Sequence, residues 1–541
     1  MDLVIENALV PDFEKLTWEK LNVGIKDGRI AKLSKISFKA RETVDGTNCF
    51  LSPGLIDCHC HIESTHLLPS GFAKAVSKFG TLHVVADCHE IANVFGVEGV
   101  KLFIENSEQS KININFAIPS CVPATEFATN GGRIDVDDVE NLLNHKKIVA
   151  LGELMNVPGV VGGDEKFIKM IQLTKKAGKR VNGHAPHLDF ETLKKYIERG
   201  VEDDHESYTY EELKQKIELG LFVFLREGST EFTEDRAYKI IREYPERVAF
   251  CTDDKSVGDI LKSGHINYNL KKAIKNGIEP ILAIKVASYN GLKYYGLNEY
   301  SEVKPGKKAY LVLFDREFNA KKVVVNGKIA KAGDSFSAKT PDRFKHSINV
   351  KIPFSLPDIK IKNLAIKVKD GSLITEKMEI DEQKSEFNLD KDLLKMVVIE
   401  RYGHGFSSAC FVHGFGLKKG AMATSLAHDC HNIVAVGTSN EEIKRVVEKV
   451  IELNGGQVVS NGEQLEYLKL EVGGITTEQN PEDVAEAVEQ LKKLSHSIGC
   501  KLTSPLDMLS FMALEVIPHI KLTDRGLFDV DKFRYIRGNY G

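Results

Sequence analysis

Between residue 53 and about residue 300 the chain repeats one pattern: a short apolar run followed by a longer segment of helical period. Eight such runs occur, ending near His61, His89, Pro123, Met155, Pro186, Ser207, Ser229 and Asp254. Runs of this length read as buried strands, and their alternation with helices reads as βα units feeding a parallel sheet. Eight units in about 250 residues fit a closed (β/α)8 barrel of the TIM type. In that architecture the C-terminal ends of the strands converge on one mouth, where chemistry is done.

The flanks follow a different rule. Residues 1–52 read as short strands and turns, most clearly Leu21–Ile25 and Arg29–Leu33 around Lys26-Asp27-Gly28. An Asp-Gly pair between alternating segments is a strong hairpin signal. Residues 301–345 return to that pattern with Ala309–Phe314 and Lys322–Lys328. The two flanks are expected to pair into one small β-rich composite domain, with the barrel (53–300) inserted between them. Residues 346–541 read as a C-terminal α/β domain, in which Val434–Gly437 is a buried strand and Glu441–Asn454 a helix ended by Gly455-Gly456. At 541 residues, two or three domains are expected in any case.

Composition removes several function classes. A formal net charge of −4 argues against binding nucleic acid or an anionic membrane surface. No apolar run reaches membrane-spanning length. The N-terminal residues lack the basic region and apolar core of a signal peptide. The 9 cysteines form no regular framework, which points to reduced thiols and a cytoplasmic setting.

The ends of the expected strands carry the chemistry. In Ser52-Pro53-Gly54-Leu55-Ile56-Asp57-Cys58-His59-Cys60-His61, strand alternation turns His59 and His61 to one face and Cys58 and Cys60 to the other. Glu153 ends the fourth run, His184 the fifth, His205 the sixth and Asp253 the eighth. Singly, each is as readily a helix cap or a hydrogen-bonded structural residue. Together, four imidazoles and two carboxylates at one mouth suit two divalent metal ions. His59, His61 and Asp253 are assigned to one ion and His184 and His205 to the other, with Glu153 as the bridge. Such ligands do not choose sharply among manganese, iron and zinc. A pair of cations brings the pKa of a water toward neutrality, and the resulting hydroxide is the expected nucleophile.

With those residues in view, the barrel resembles the amidohydrolase superfamily. The chain as a whole is similar to the bacterial and archaeal adenine deaminases. The motifs are Pro53–Ser64, His89–Val94, Gly152–Val160, His184-Ala185-Pro186, His205–Tyr208, Arg226–Ser229, Cys251–Asp254, Ala427–Asn432 and Leu522–Leu527. They span nearly the whole chain. Cys60 between the histidines and His66 after Thr65 are small departures with no assigned role. The cytidine-deaminase Pro-Cys-x-x-Cys element is absent.

The resemblance implies a manganese- or iron-dependent hydrolase of purine salvage that converts adenine and water to hypoxanthine and ammonia, as a homo-oligomer. The hydroxide is expected to attack C6, with Asp253 as general base and then acid. Asp254, His89, Glu90, Ser207, Arg226 and His428 are the candidate substrate contacts. Each also has a structural reading: a hydrogen bond for Asp254, an ion pair with Glu227 for Arg226, a helix cap for Ser207. For His428, Asp429 and His431 the choice is between a polar turn and a loop that folds over the mouth to meet substrate or an extra metal. Two other functions compete: a binuclear amidohydrolase that opens cyclic amides, and an inactive purine-binding scaffold. The first commonly bridges its metals with a modified lysine where this chain has Glu153.

Overall fold

The structure is a computed structural model that describes residues 1–330, 339–381 and 385–536. The expected β-rich segment 301–345 therefore includes eight residues, 331–338, that lie outside the described ones.

Eight parallel strands form the barrel: Leu55–Cys60, Thr81–Asp87, Asn113–Ile118, Ile148–Leu151, Arg180–Val181, Asp203–Asp204, Phe222–Arg226 and Val248–Cys251. The first five pair consecutively, as do the last three. Glu202 N donates to Val181 O (3.0 Å) between the fifth and sixth. The ring closes where Asp253 N donates to His59 O (3.0 Å) and His61 N to Asp253 O (3.2 Å). Asp57 of the first strand reinforces this seam by accepting from Thr252 N at 3.1 Å.

Each strand stops one to five residues short of the expected end. Gly152, Gly183, Gly228 and the prolines Pro119, Pro123 and Pro186 fall in these stretches and weaken a ladder, so the polar side chains stand in the loops just beyond the strands.

One detail of the first strand departs from simple alternation. Its register against the second strand slips between Asp57↔Val84 and Cys60↔Ala86, so three steps on one strand face two on the other. A bulge of this kind re-aims side chains beside active sites. Cys58 consequently packs inside the barrel with Ile56, Val85, Ala117, Ala150, Phe224 and Ala249, whereas Cys60 joins the core with Ile62, Leu67 and Ala86. The two thiols do not share a face as ideal alternation requires. His59 and His61 do lie together, their ring centroids 4.9 Å apart.

The N-terminal strands and the segment after the barrel share one sheet. Leu311–Phe314 pairs antiparallel with Phe50–Pro53, and Leu3–Asp12 runs alongside. The Asp27-Gly28 hairpin forms with both residues at positive φ, 50° and 76°. Gly54 links this sheet to the first barrel strand; a Cβ there would sit 2.6 Å from Leu82 Cβ.

Beyond residue 360, eight strands among the described residues form one mixed sheet. The helix Asn440–Glu452 covers it. Ser439 caps that helix by accepting from Glu442 N (3.2 Å), and Ile443, Val446, Val447, Val450 and Ile451 form its buried stripe. At about 1.5–3 kcal/mol for each buried aliphatic side chain, that stripe fixes the helix on the sheet. This region rests on the barrel mouth: Asn432 Nδ2 donates to Thr129 O (3.1 Å) and Thr129 Oγ1 to Asp524 Oδ2 (2.6 Å).

Candidate metal centre

The six side chains proposed as ligands meet at the barrel mouth. His61 Nε2 lies 2.9 Å and His59 Nε2 3.3 Å from Asp253 Oδ1. Glu153 stands between two sets of imidazoles. Its Oε1 is 3.3 Å from His61 Nε2 and 4.0 Å from His59 Nε2; its Oε2 is 2.7 Å from His184 Nδ1 and 3.4 Å from His205 Nε2. The His59 and His205 rings stack at 4.0 Å. Five of the six are buried, and His184 is partly open to solvent.

Local structure aims these groups. His61 Nδ1 donates to Asp87 O at 3.0 Å, which leaves Nε2 free to face the two carboxylates. Asp87 Oδ2 accepts from Glu153 N, also at 3.0 Å, so the second strand positions the first and fourth together. Asp253 takes a positive φ of 55°, a conformation that costs energy in a non-glycine residue and turns its carboxylate inward.

Charges in the cluster are balanced by proximity. Burial alone would raise the Glu153 carboxyl; the hydrogen bond and charge of His184, with His205, outweigh it and hold the group well below its usual range. Burial would likewise raise Asp253, but the Arg226 guanidinium and the neighbouring His59 and His61 imidazoles hold it low. For His59, burial and the charge of His205 lower the imidazole.

The donor set fits divalent ions. His59 Nε2 and His205 Nε2 are buried with no hydrogen-bond partner, although buried polar atoms are normally satisfied. Both point toward the Glu153 carboxylate, where a cation would satisfy them.

The remaining candidates fall in other places. Arg226 is buried against acids: Nη1 is 2.6 Å from Glu206 Oε1 and also pairs with Asp253 Oδ2, while Nη2 pairs with Glu231. Its expected partner Glu227 instead meets Lys272 (2.6 Å) and Tyr238 (2.8 Å). Ser207, expected at substrate or as a cap, donates to Asp204 Oδ2 (2.9 Å), which Lys216 also binds at 2.7 Å. Asp254 is half-buried at the mouth and accepts from Ser64 Oγ. His89 Nδ1 is 3.6 Å from Glu153 Oε1. Glu90 is enclosed by His89, His428 and His431, so the 427–432 loop does fold over the mouth. His428 stacks on Phe511 at 4.1 Å.

Sequence reasoning missed Asp57, Asp87 and Glu206. Glu206 stands beside His205 in the sequence, which was the available signal, and in the fold it pairs with the buried Arg226. Asp57 and Asp87 act through contacts between strands, which no local pattern reports.

Residues 50–330 match the profile of the amidohydrolase family, and that is the class the barrel and its His/Asp/Glu mouth define. Residues 372–534 match the adenine deaminase C-terminal domain. The adenine deaminase of Thermosipho africanus is 36% identical over 99% of this chain and 96% of its own length. That of Methanosarcina barkeri is 37% identical over 90% of this chain and 92% of its own. The chain belongs to the adenine deaminase family. Among solved structures, a beta-aspartyl dipeptidase from Fervidobacterium islandicum aligns with 63% of this chain and 100% of its own, at 17% identity and a TM-score of 0.47.

Proposed function

We propose that this chain hydrolyses adenine to hypoxanthine and ammonia. The observation that carries the reading is Glu153, whose two oxygens face separate imidazole sets. His59, His61 and Asp253 would hold one divalent ion and His184 and His205 the other, with Glu153 shared. When bound, such a pair supplies the Lewis acidity that lets water ionise near neutral pH.

The protein's own groups do the rest. Arg226 keeps Asp253 ionised at neutral pH and grips Oδ2, leaving Oδ1 at the site as the base. Asp253 accepts the proton of the attacking water and returns it to the departing amine. Asp254, half-buried beside it, would meet a purine ring nitrogen. Arg226, Glu206, Ser207 and Asp204 position these residues rather than touch substrate. Manganese or iron is the proposed metal, consistent with imidazole and carboxylate donors. The nine cysteines, all free and buried, fit a reducing, cytoplasmic setting.

The test is ammonia release from a panel of free bases, nucleosides and hydantoins, with manganese or ferrous iron supplied. Adenine should react and adenosine should not. Turnover of adenosine or a hydantoin, with adenine inert, would contradict the assignment.

A further inference from the structure

A second set of donors lies beside the first and has no task in the reaction above. His89 turns Nδ1 toward Glu153, and its other nitrogen, Nε2, lies 3.4 Å from Glu90 Oε1 and 3.9 Å from Asp429 Oδ1. From the C-terminal region, His428 Nδ1 pairs with Glu90 Oε1, and His431 Nε2 stands 2.5 Å from Glu90 Oε2. All five side chains are buried, Glu90 at 3% and Asp429 at 4% exposure.

The hydrogen bonding of this group is incomplete. Glu90 Oε2 and His431 Nε2 are close, yet neither makes an aligned hydrogen bond; Asp429 Oδ2 and His431 Nδ1 have no partner either. Buried polar atoms are normally satisfied, so these orphaned oxygens and nitrogens call for a partner. Two buried carboxylates also require positive charge nearby. A cation among these atoms answers both requirements. The same compression of unpartnered donors marks the cluster around Glu153, where His59 Nε2 and His205 Nε2 are orphaned.

We propose that His89, Glu90 and Asp429, whose donor atoms lie within 4.8 Å of one another, bind a third divalent transition-metal ion, which fastens the 427–432 loop to the barrel mouth. His428, stacked on Phe511, buttresses Glu90 from the same loop. Mixed imidazole and carboxylate donors suit a first-row divalent ion. Because its ligands come from two regions more than 300 residues apart, the ion's binding energy goes into holding them together. This site takes His89, Glu90 and His428 out of substrate contact. It rests on the Glu153 reading only in being counted as third.

The test is metal stoichiometry of the full-length protein loaded with manganese, desalted and analysed by mass spectrometry. The native chain should hold three ions, and Asp429→Asn and Glu90→Gln two each. Two ions in the native chain would overturn this site and leave the pair at Glu153 standing. Three ions in both variants would also overturn it. A single ion that is lost in Asp429→Asn would overturn the pair instead. Should the variants fail to fold, an anomalous-scattering map of the native crystal decides: a peak among His89, Glu90 and Asp429 supports the site, and its absence there overturns it.

Discussion

Gly152 is the position where one added methyl group should do the most damage to the centre. A Cβ at this residue would overlap the Asp87 carboxylate, lying 2.8 Å from its Cγ and 2.9 Å from Ile118 O. Non-bonded carbon contacts are comfortable at about 3.5–4.0 Å, so Asp87 must withdraw by about 1 Å. Asp87 cannot move alone. Its Oδ2 holds Glu153 N and its backbone oxygen holds His61 Nδ1, so the shift passes to the shared carboxylate and to one imidazole. Misplacement of a reacting group by 1 Å costs on the order of 10²-fold in rate. Overpacking adds a stability loss of about 1–3 kcal/mol. For Gly152→Ala the expected result is therefore a fall in kcat of about a hundredfold in the ammonia-release assay, with reduced manganese content and a melting temperature lowered only modestly. Native turnover and native metal content in a folded variant would refute the claim that Asp87 positions the bridge.

Other outcomes follow from the same contacts. Arg226→Gln leaves Asp253 and Glu206 buried without their cation, a loss of about 3–5 kcal/mol seen as a lower melting temperature. Because the guanidinium holds the Asp253 carboxyl low, its removal should also move the acid limb of the pH–rate profile to higher pH. Glu515 is 2% exposed, and burial raises its carboxyl from an ordinary 4.5 to about 7. The folded state then binds the proton more tightly than the unfolded one, so stability falls as pH rises from 4.5 to 7 and the full cost applies above. That cost is about 3 kcal/mol, at 1.36 kcal/mol for each tenfold change in acidity. Glu515→Gln should accordingly raise the melting temperature at pH 8 and change it little at pH 4; an equal effect at both would refute this. Ser439→Ala removes the cap on Asn440–Glu452 and should cost about 1 kcal/mol in chemical unfolding, with adenine turnover unchanged.

Much of the fold could be read locally because its signals are local. The eight barrel runs announce themselves by length and apolarity, the Asp27-Gly28 hairpin by a turn that needs two positive φ values, and Asn440–Glu452 by a helical stripe behind a serine cap. His59 and His61 come together because they are two apart on one chain. What escaped was set by contacts across the chain. The bulge between Asp57 and Cys60 depends on how the first strand meets the second, so strand alternation misplaced Cys60. The pairing of Arg226 with Glu206 and Asp253, rather than Glu227, depends on three different strand ends meeting. Glu90 and His428 touch across 338 residues, a distance over which no periodicity carries information.

Whether Glu153 joins two cations can be read from electron paramagnetic resonance of the manganese-loaded protein. Two manganese(II) ions sharing one carboxylate, about 3.5–4 Å apart as in two-metal hydrolase sites, couple their spins. A multiline spectrum of a coupled pair, lost in Glu153→Ala, is the expected result. The plain six-line signal of isolated ions in the native protein would contradict it.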